Sequence, residues 1–522
     1  MATQTLPTPK PLSVAVIVPP FKDFYATVHR TANLGAHTVE SILIDAGHTV
    51  SFFDFSNSSN QKTTVAIPRE LGYLKPYIIS NESGPTSFFT HYRHFGEPVD
   101  GCAQKVAASS PALCCITCFA FCYAQQTLEL ADAIKQQIPD VAICVGGSGV
   151  SCYPEFFLRR SQSIDFAVCG EAEVSLLPLI AALNTGRFDA VPNLYWRIEH
   201  GSSITSNHQQ QIFSDGFTPA VRLVHQTKNN YYLSTTLSRG CPLKCTFCSN
   251  RLTFGDTLRL ADAHQLDDLI RNVLQSQPGQ AKIIHLNFED DNILLDAQYL
   301  IALCTRLKRQ YPSIVFLAEN GLDYRLLSID LIDQLLDVGF AKFNLSLASV
   351  NPAILASQNR TTDLNHYRAI VTYLHARNIP VVTYFICGFA EDTIETIAAN
   401  LAFLYSTPTT IGISPYYAVP GIGGFTDRNV FSTMHPCLCA GSSCYPWNGS
   451  ISTITLVTAF RLSRLCNLYR KINRTPIEDD VLKRSMNDHT IYTVIKNKKE
   501  SDLQAIANLD KSLCERFFNL IK

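Results

Sequence analysis

The sequence predicts an α/β chain with three parts in tandem: a doubly wound, Rossmann-like parallel sheet, a partial (β/α)6 barrel, and a helical carboxyl-terminal region. Three observations carry this. Strand-like and helix-like segments alternate through the first 200 residues, and strands separated by helices pair in parallel, because a parallel return needs a long crossover. A second alternating series of six strand–helix units runs from about residue 230 to 425. Glycines close strand-like runs, as in Val145-Gly146-Gly147-Ser148-Gly149, where open α/β sheets let a ligand approach the backbone.

Taken in order, residues 13–18 read as a buried strand, 29–46 as a helix ending near Gly47, and 48–55 as a second strand. Residues 113–119 form a third apolar run. Leu128, Ala131, Ile134 and Ile138 share one face of a helix over 125–138. Strands at 141–145 and 164–168 follow, the latter leading through Gly170 into a helix at 171–183. The polar stretch 56–109 fits no unit and reads as an insertion within a front domain of residues 1–205. Residues 206–230, rich in Ser, Gln, Asn and Thr, read as a linker. The barrel is expected over 231–426, with strands at 232–237, 283–288, 314–318, 342–347, 380–386 and 411–416, and its site at their carboxyl ends. Residues 427–522 hold a cysteine-containing loop and two or three helices.

The 522 residues carry 43 Lys+Arg against 44 Asp+Glu, a net charge of −1. That balance offers no whole-protein field for gathering nucleic acid or an anionic membrane, and no basic, aromatic-rich patch marks a nucleic-acid target. Charged residues make up 17%, below the usual quarter, as expected of a large interior with extensive cavities. The most apolar run, 113–124, falls short of the roughly 20 residues of a membrane span. One lysine precedes the run 14–18, which Pro19-Pro20 stops, so no secretory leader is expected. The expected location is the cytoplasm, and the eighteen cysteines are expected to be reduced thiols rather than a disulfide scaffold.

The strongest chemical signal is Ser238-Arg239-Gly240-Cys241-Pro242-Leu243-Lys244-Cys245-Thr246-Phe247-Cys248-Ser249-Asn250. Three closely spaced thiols on one loop, just past the first barrel strand, suit an iron–sulfur cluster. Three ligands leave one corner of a four-iron cube open, whereas structural zinc normally takes four protein ligands.

This loop resembles that of the radical S-adenosylmethionine (SAM) superfamily, and further segments share the resemblance. Thr246-Phe247-Cys248 carries the aromatic residue that precedes the last ligand, and Phe288-Glu289-Asp290-Asp291-Asn292 matches the segment binding the SAM amino group. Gly388-Phe389-Ala390-Glu391-Asp392-Thr393 and the proline-containing run from Pro415 to Gly421 match the fifth and sixth strand ends. The resemblance implies that Cys241, Cys245 and Cys248 hold a 4Fe-4S cluster and that Phe247, Glu289, Asp290 and Gly388 meet SAM; helix-capping or surface carboxylates are the alternative for Glu289 and Asp290. Many relatives place Glu near the fourth strand end, where this chain has Ala348; Ser346, Ser349 or Asn320 are the substitutes for the ribose. Arg360 is a candidate for the SAM carboxylate or a solvent-facing arginine at a helix start.

The front sheet resembles the cobalamin-binding domain that precedes many radical SAM barrels, through residues 145–149 and Asp165-Phe166-Ala167-Val168-Cys169-Gly170-Glu171-Ala172-Glu173. The resemblance implies cobalamin contacts at Thr117, Gly146, Gly147, Ser148, Gly170 and Glu171. The Asp-x-His-x-x-Gly motif of free-standing cobalamin domains is missing, and Asp23, His29 and Gly35 have the wrong spacing, so His29 reads as an ordinary polar histidine. Cys114, Cys115, Cys118 and Cys122 lie on or beside a buried strand and read as core packing. Cys437, Cys439 and Cys444 read as part of a substrate-covering loop, with a second cluster as the alternative. The implied activity is methyl transfer to an unactivated carbon, or phosphorus, of a small metabolite, lipid or natural-product intermediate. A cyclase, rearrangement or oxidation on the same machinery, or a cobalamin-binding sensor or scaffold, are the alternatives. A low-potential electron donor of the flavodoxin or ferredoxin type is the implied protein partner.

Overall fold

The computed structural model describes residues 11–24, 32–56, 62–78, 91–198, 203–207, 212–277, 279, 282–447, 449–473 and 509–521. The front unit contains β1 (Ser13–Val18), β2 (Phe21–Asp23), β3 (Thr49–Asp54), β4 (Lys62–Thr64), β5 (Arg93–Phe95), β6 (Leu113–Thr117), β7 (Ala142–Gly146), β8 (Phe166–Val168), β9 (Leu194–Arg197) and β10 (Ile204–Ser206). Seven of them form one sheet in the order β10-β9-β8-β7-β6-β1-β3. The run β3-β1-β6-β7-β8 is all parallel, the doubly wound order whose switch point lies between the first and third strands. Here that point falls between β1 and β6. Val14, Ala15, Val16 and Ile17 are at most 1% exposed, because helices cover both faces of a central parallel strand.

Two differences from expectation have clear causes. The sheet does not end at β8, since β9 and β10 add antiparallel edges; their short, half-polar runs lack the apolar continuity of buried strands. The stretch 56–109 is only partly an insertion. Its strands β4 and β5 join β2 in a small antiparallel sheet, while the helix Val99–Ala108 packs beside Ala124–Gln137 as a regular crossover before β6. His29 lies outside the described residues.

The second unit begins inside the expected linker: β11 (Val221–Gln226) is an antiparallel edge strand against β12 (Asn230–Thr235). Beyond come β13 (Ser238–Arg239), β14 (Arg259–Leu260), β15 (Ile283–Phe288), β16 (Ile314–Leu317), β17 (Phe343–Ala348), β18 (Val381–Cys387) and β19 (Thr410–Pro415). β12, β15 and β16 are parallel neighbours, as are β17, β18 and β19. Parallel bridges Phe316–Phe340 and Leu322–Leu345 join the two sets. Six parallel strands therefore follow one another in chain order, with Phe288, Phe316, Phe343 and Phe385 fully buried among them. Helices Thr453–Asn473 and Lys511–Leu520 pack against Ile394–Tyr405. Among the described residues no helix is long and apolar enough to cross a membrane.

Candidate active site

The cysteine loop hangs between β13 and β14, an antiparallel pair in which Ser238 faces Leu260 and Arg239 faces Arg259. Gly240 makes the entry turn at φ 83°, and a Cβ there would stand 2.2 Å from the Thr257 carbonyl oxygen, so no other residue fits. The loop continues without regular structure through Cys245, which is buried, and the half-exposed Cys241 and Cys248. Among the described residues no three His, Cys, Asp or Glu side chains are grouped to share one metal ion. A four-iron cube needs no such convergence, since each thiolate binds its own iron. Burial pushes the Cys248 thiol up to about 11 and raises Cys241 as well, so cluster assembly must expel protons from these groups. Without a cluster, alkylation of Cys248 by iodoacetamide should be slow at neutral pH. It should speed up about tenfold per pH unit toward its high pKa, as peptide mass mapping across a pH series would read.

Two carboxylates after β15 hold the loop in place. Asp290 is buried and accepts from Leu237 N (3.0 Å), Ser238 N (2.5 Å) and Ser238 Oγ (2.5 Å). Asp291 Oδ2 accepts from Gly240 N at 3.1 Å and its Oδ1 from Asn250 Nδ2 at 2.6 Å. Burial raises both, Asp290 to about 7 and Asp291 to about 6. Asp290, expected at SAM, thus turns its oxygens to the entry strand of the loop. Substituting Asp290 by Ala strands three donors in the interior, at about 1–3 kcal/mol for each unsatisfied group. Cluster retention during anaerobic gel filtration should fall accordingly. Glu289 lines the front-domain cavity with Arg239.

The other predicted SAM residues fall into two groups. Phe247 packs on Phe389 with ring centres 5.6 Å apart, beside Gly388, whose N–H donates to Asp392 Oδ2 at 2.8 Å. Ser346 and Arg360 lie together on the far side: Arg360 Nη2 donates to the Ser346 carbonyl at 3.1 Å and stands 3.8 Å from Asp323. The Arg360 side chain is 9% exposed, which corrects the solvent-facing alternative, and its Nε is buried with no hydrogen-bond acceptor. A Cβ on Gly321 would stand 2.5 Å from Ser346 Oγ, so the turn carrying the exposed Asn320 passes directly over Ser346. Ser349 is buried, its Oγ accepting from Asn351 N (3.2 Å) and Asn400 Nδ2 (3.4 Å). Ala348, where relatives carry Glu, sits at φ 64° beside a bulge in β17, a strained conformation of the kind that gathers at functional sites. Sequence reasoning missed Asp291, Asp323 and Arg325, the last of which forks onto Asp323; the only signal was their position just past strand ends.

At the front unit, all six expected residues converge. Thr117, Gly146, Gly147, Ser148, Gly170 and Glu171 line one cavity of about 330 Å³ at the carboxyl ends of β6, β7 and β8, with Val16, Leu176 and Phe119 among its apolar walls. Gly147 has φ 104°, and a Cβ there would stand 2.7 Å from the Cys118 carbonyl oxygen. Backbone without side chain is what lets a large flat group settle on these strand ends, and the apolar walls suit one. Glu171 needs a correction: the residue lines the cavity, but its side chain is fully buried and its oxygens are bound to Arg239 and Arg259. No histidine is among the described residues lining this cavity.

A second cavity of about 540 Å³ lies between the units. Phe119, Tyr123 and Ser148 face it from the front sheet, Ser249 and Asn250 from the cysteine loop, Ser414 and Tyr417 from the end of β19, and Cys439 and Ser442 from the carboxyl-terminal region. Phe119, Phe21 and Ser148 line both cavities. Cys114 and Cys118 are core residues, whereas Cys115 and Cys122 reach cavity walls. Asp23 fastens the carboxyl-terminal loop over the chamber, accepting from Ser442 Oγ and Tyr123 Oη, each at 2.7 Å.

Comparison with known proteins agrees with this geometry. Residues 235–404 match the radical SAM superfamily. The chain is 25% identical over 217 residues (41% of its length and 46% of the relative's) to bacteriochlorophyllide d C-12(1)-methyltransferase of Chlorobaculum tepidum. It is 25% identical over 316 residues (57% and 55%) to the anaerobic magnesium-protoporphyrin IX monomethyl ester cyclase of Rubrivivax gelatinosus. It thus spans about half the length of these relatives. The structure of the cobalamin-dependent SAM radical enzyme OxsB, with aqua-cobalamin and SAM bound, superposes with a TM-score of 0.58 at 15% identity, covering 98% of this chain and 78% of that one. Residues 235–404 thus carry the match to the radical SAM superfamily, and the chain shares the fold of a cobalamin-dependent SAM radical enzyme.

Proposed function

We propose that the protein is a cobalamin-dependent radical SAM enzyme that transfers a methyl group to an unactivated carbon of a small molecule. The single observation that carries this is the central cavity, bounded at once by the front strand ends and by the cysteine loop with β19. In this reading Cys241, Cys245 and Cys248 hold the cluster, and Phe247, Gly388, Ser346, Asn320 and Arg360 surround SAM. Thr117, Gly146, Gly147, Ser148 and Gly170 seat cobalamin. Bound together, these groups supply reductive sulfonium cleavage and a methyl donor. The protein's own contribution is placement and shielding: Asp290 and Asp291 fix the loop, the aromatic walls exclude water, and the loop around Ser442 closes the chamber. A chamber of about 540 Å³ is the size of a pocket for a small organic molecule.

Cysteine usage supports a reducing, cytoplasmic setting: among the described residues no two cysteines form a disulfide. The partly exposed Cys241 side of the loop, with Leu243 at the surface, is where an electron donor of the flavodoxin or ferredoxin type would approach. A second reading, ring formation or oxidation without methyl transfer, is favoured by the similarity to the cyclase, which extends over more of this chain than that to the methyltransferase. The two separate in one experiment with SAM labelled in its methyl group, cobalamin, reductant and a substrate panel. Label in product together with S-adenosylhomocysteine supports methyl transfer. Product carrying no label, with 5′-deoxyadenosine and labelled methionine as the SAM products and no S-adenosylhomocysteine, supports the second reading.

A further inference from the structure

Two arginines oppose each other where the cysteine loop is tied off. Arg239 and Arg259 are cross-strand partners in β13–β14, and both side chains are 8% exposed. Like charges directly opposite repel, and a buried charge without a counter-ion is strongly disfavoured. The counter-charge comes from the front unit. Glu171 Oε1 accepts from Arg239 Nη1 at 3.2 Å, and its Oε2 accepts from Arg259 Nη1 at 2.6 Å and from Ser214 N at 3.1 Å. Glu173 adds a second carboxylate to Arg239 Nη1 at 2.7 Å. The Arg239 guanidinium also lies over the rings of Phe217 and Phe254, 4.4 and 5.2 Å from their centres.

We propose that Glu171 is a positioning residue that couples the front-domain ligand site to the iron–sulfur loop through Arg239. The inference rests on the functional reading above. Glu171, Glu173 and Arg239 all line the front cavity, so a molecule filling it packs on the ion cluster itself. Two residues further along the chain is Cys241. The backbone on either side of Arg239 is held by Asp290 at Ser238 and by Asp291 at Gly240, so the guanidinium and the neck of the loop are fixed as one unit. Seating a group at either site orders the ion cluster that the other site needs, and such coupling is reciprocal.

The test is the affinity of the full chain for hydroxocobalamin, measured by anaerobic equilibrium dialysis with the cluster reconstituted and with the iron removed by chelation. In the wild type, the cluster-loaded form should bind roughly fivefold tighter or more. In Glu171→Gln, which leaves Arg239 with Glu173 and takes the carboxylate from Arg259, the ratio of the two affinities should fall toward one. Glu173→Gln should shrink it less, and serves in place of Glu171→Gln if that variant fails to give a cooperative thermal transition. Equal affinities in the wild type overturn the coupling, as does a variant that weakens both forms alike and leaves the ratio unchanged. No hydroxocobalamin binding to either wild-type form overturns the functional reading of the front cavity, and this inference with it.

Discussion

Replacing Cys241, Cys245 or Cys248 by alanine should remove the iron–sulfur cluster and reduce SAM cleavage to background while leaving the chain folded. The thiols stand on a loop outside regular structure, and only Cys245 is buried, so the loss in folding stability should be about 1 kcal/mol. Bound iron should fall from about four atoms per chain to a trace, as colorimetric iron analysis and electron paramagnetic resonance would read. The front cavity shares no cysteine with this loop, so hydroxocobalamin should still bind. A variant keeping full iron and full SAM cleavage would remove the loop from the chemistry.

The converse separation comes from Gly147→Ala. The added Cβ meets the Cys118 carbonyl oxygen at 2.7 Å, at a φ of 104° that L-residues rarely adopt. Strain of this kind costs about 1–3 kcal/mol. Its relief forces the ends of β6 and β7 apart, because Gly149 N also donates to the Cys118 carbonyl. Cobalamin affinity should fall at least about tenfold, the equivalent of 1.4 kcal/mol, while the cluster spectrum stays intact. Unchanged affinity would show that the seat lies elsewhere on the front sheet.

These two substitutions act at positions legible in the sequence, for a physical reason. A three-cysteine loop and glycines at strand ends stand out by residue type and local spacing, and the six residues that the family resemblance picked out in the front unit line one cavity. The groups that hold those positions were hidden because their partners are distant in the chain. Asp290 reaches back to Ser238 across 52 residues and Glu171 to Arg259 across 88; no local pattern marks a carboxylate whose donors are assembled by the fold. The antiparallel strands β9, β10 and β11 were missed because short edge strands carry weak apolar signals. Asp290 was picked out by the family resemblance of the segment past β15, and its bonds to Leu237 and Ser238 became visible only in the fold.

The tie between Asp23 and Ser442 spans 419 residues, and Arg461 likewise donates to the Tyr77 carbonyl. During synthesis the front sheet can form while most of the chain is still unmade, since domains fold as units from the amino terminus. The roof over the chamber, the loop around Ser442, is made only after every described strand of both units. Until Ser442 is made, the bond to Asp23 that fastens this side of the chamber cannot form.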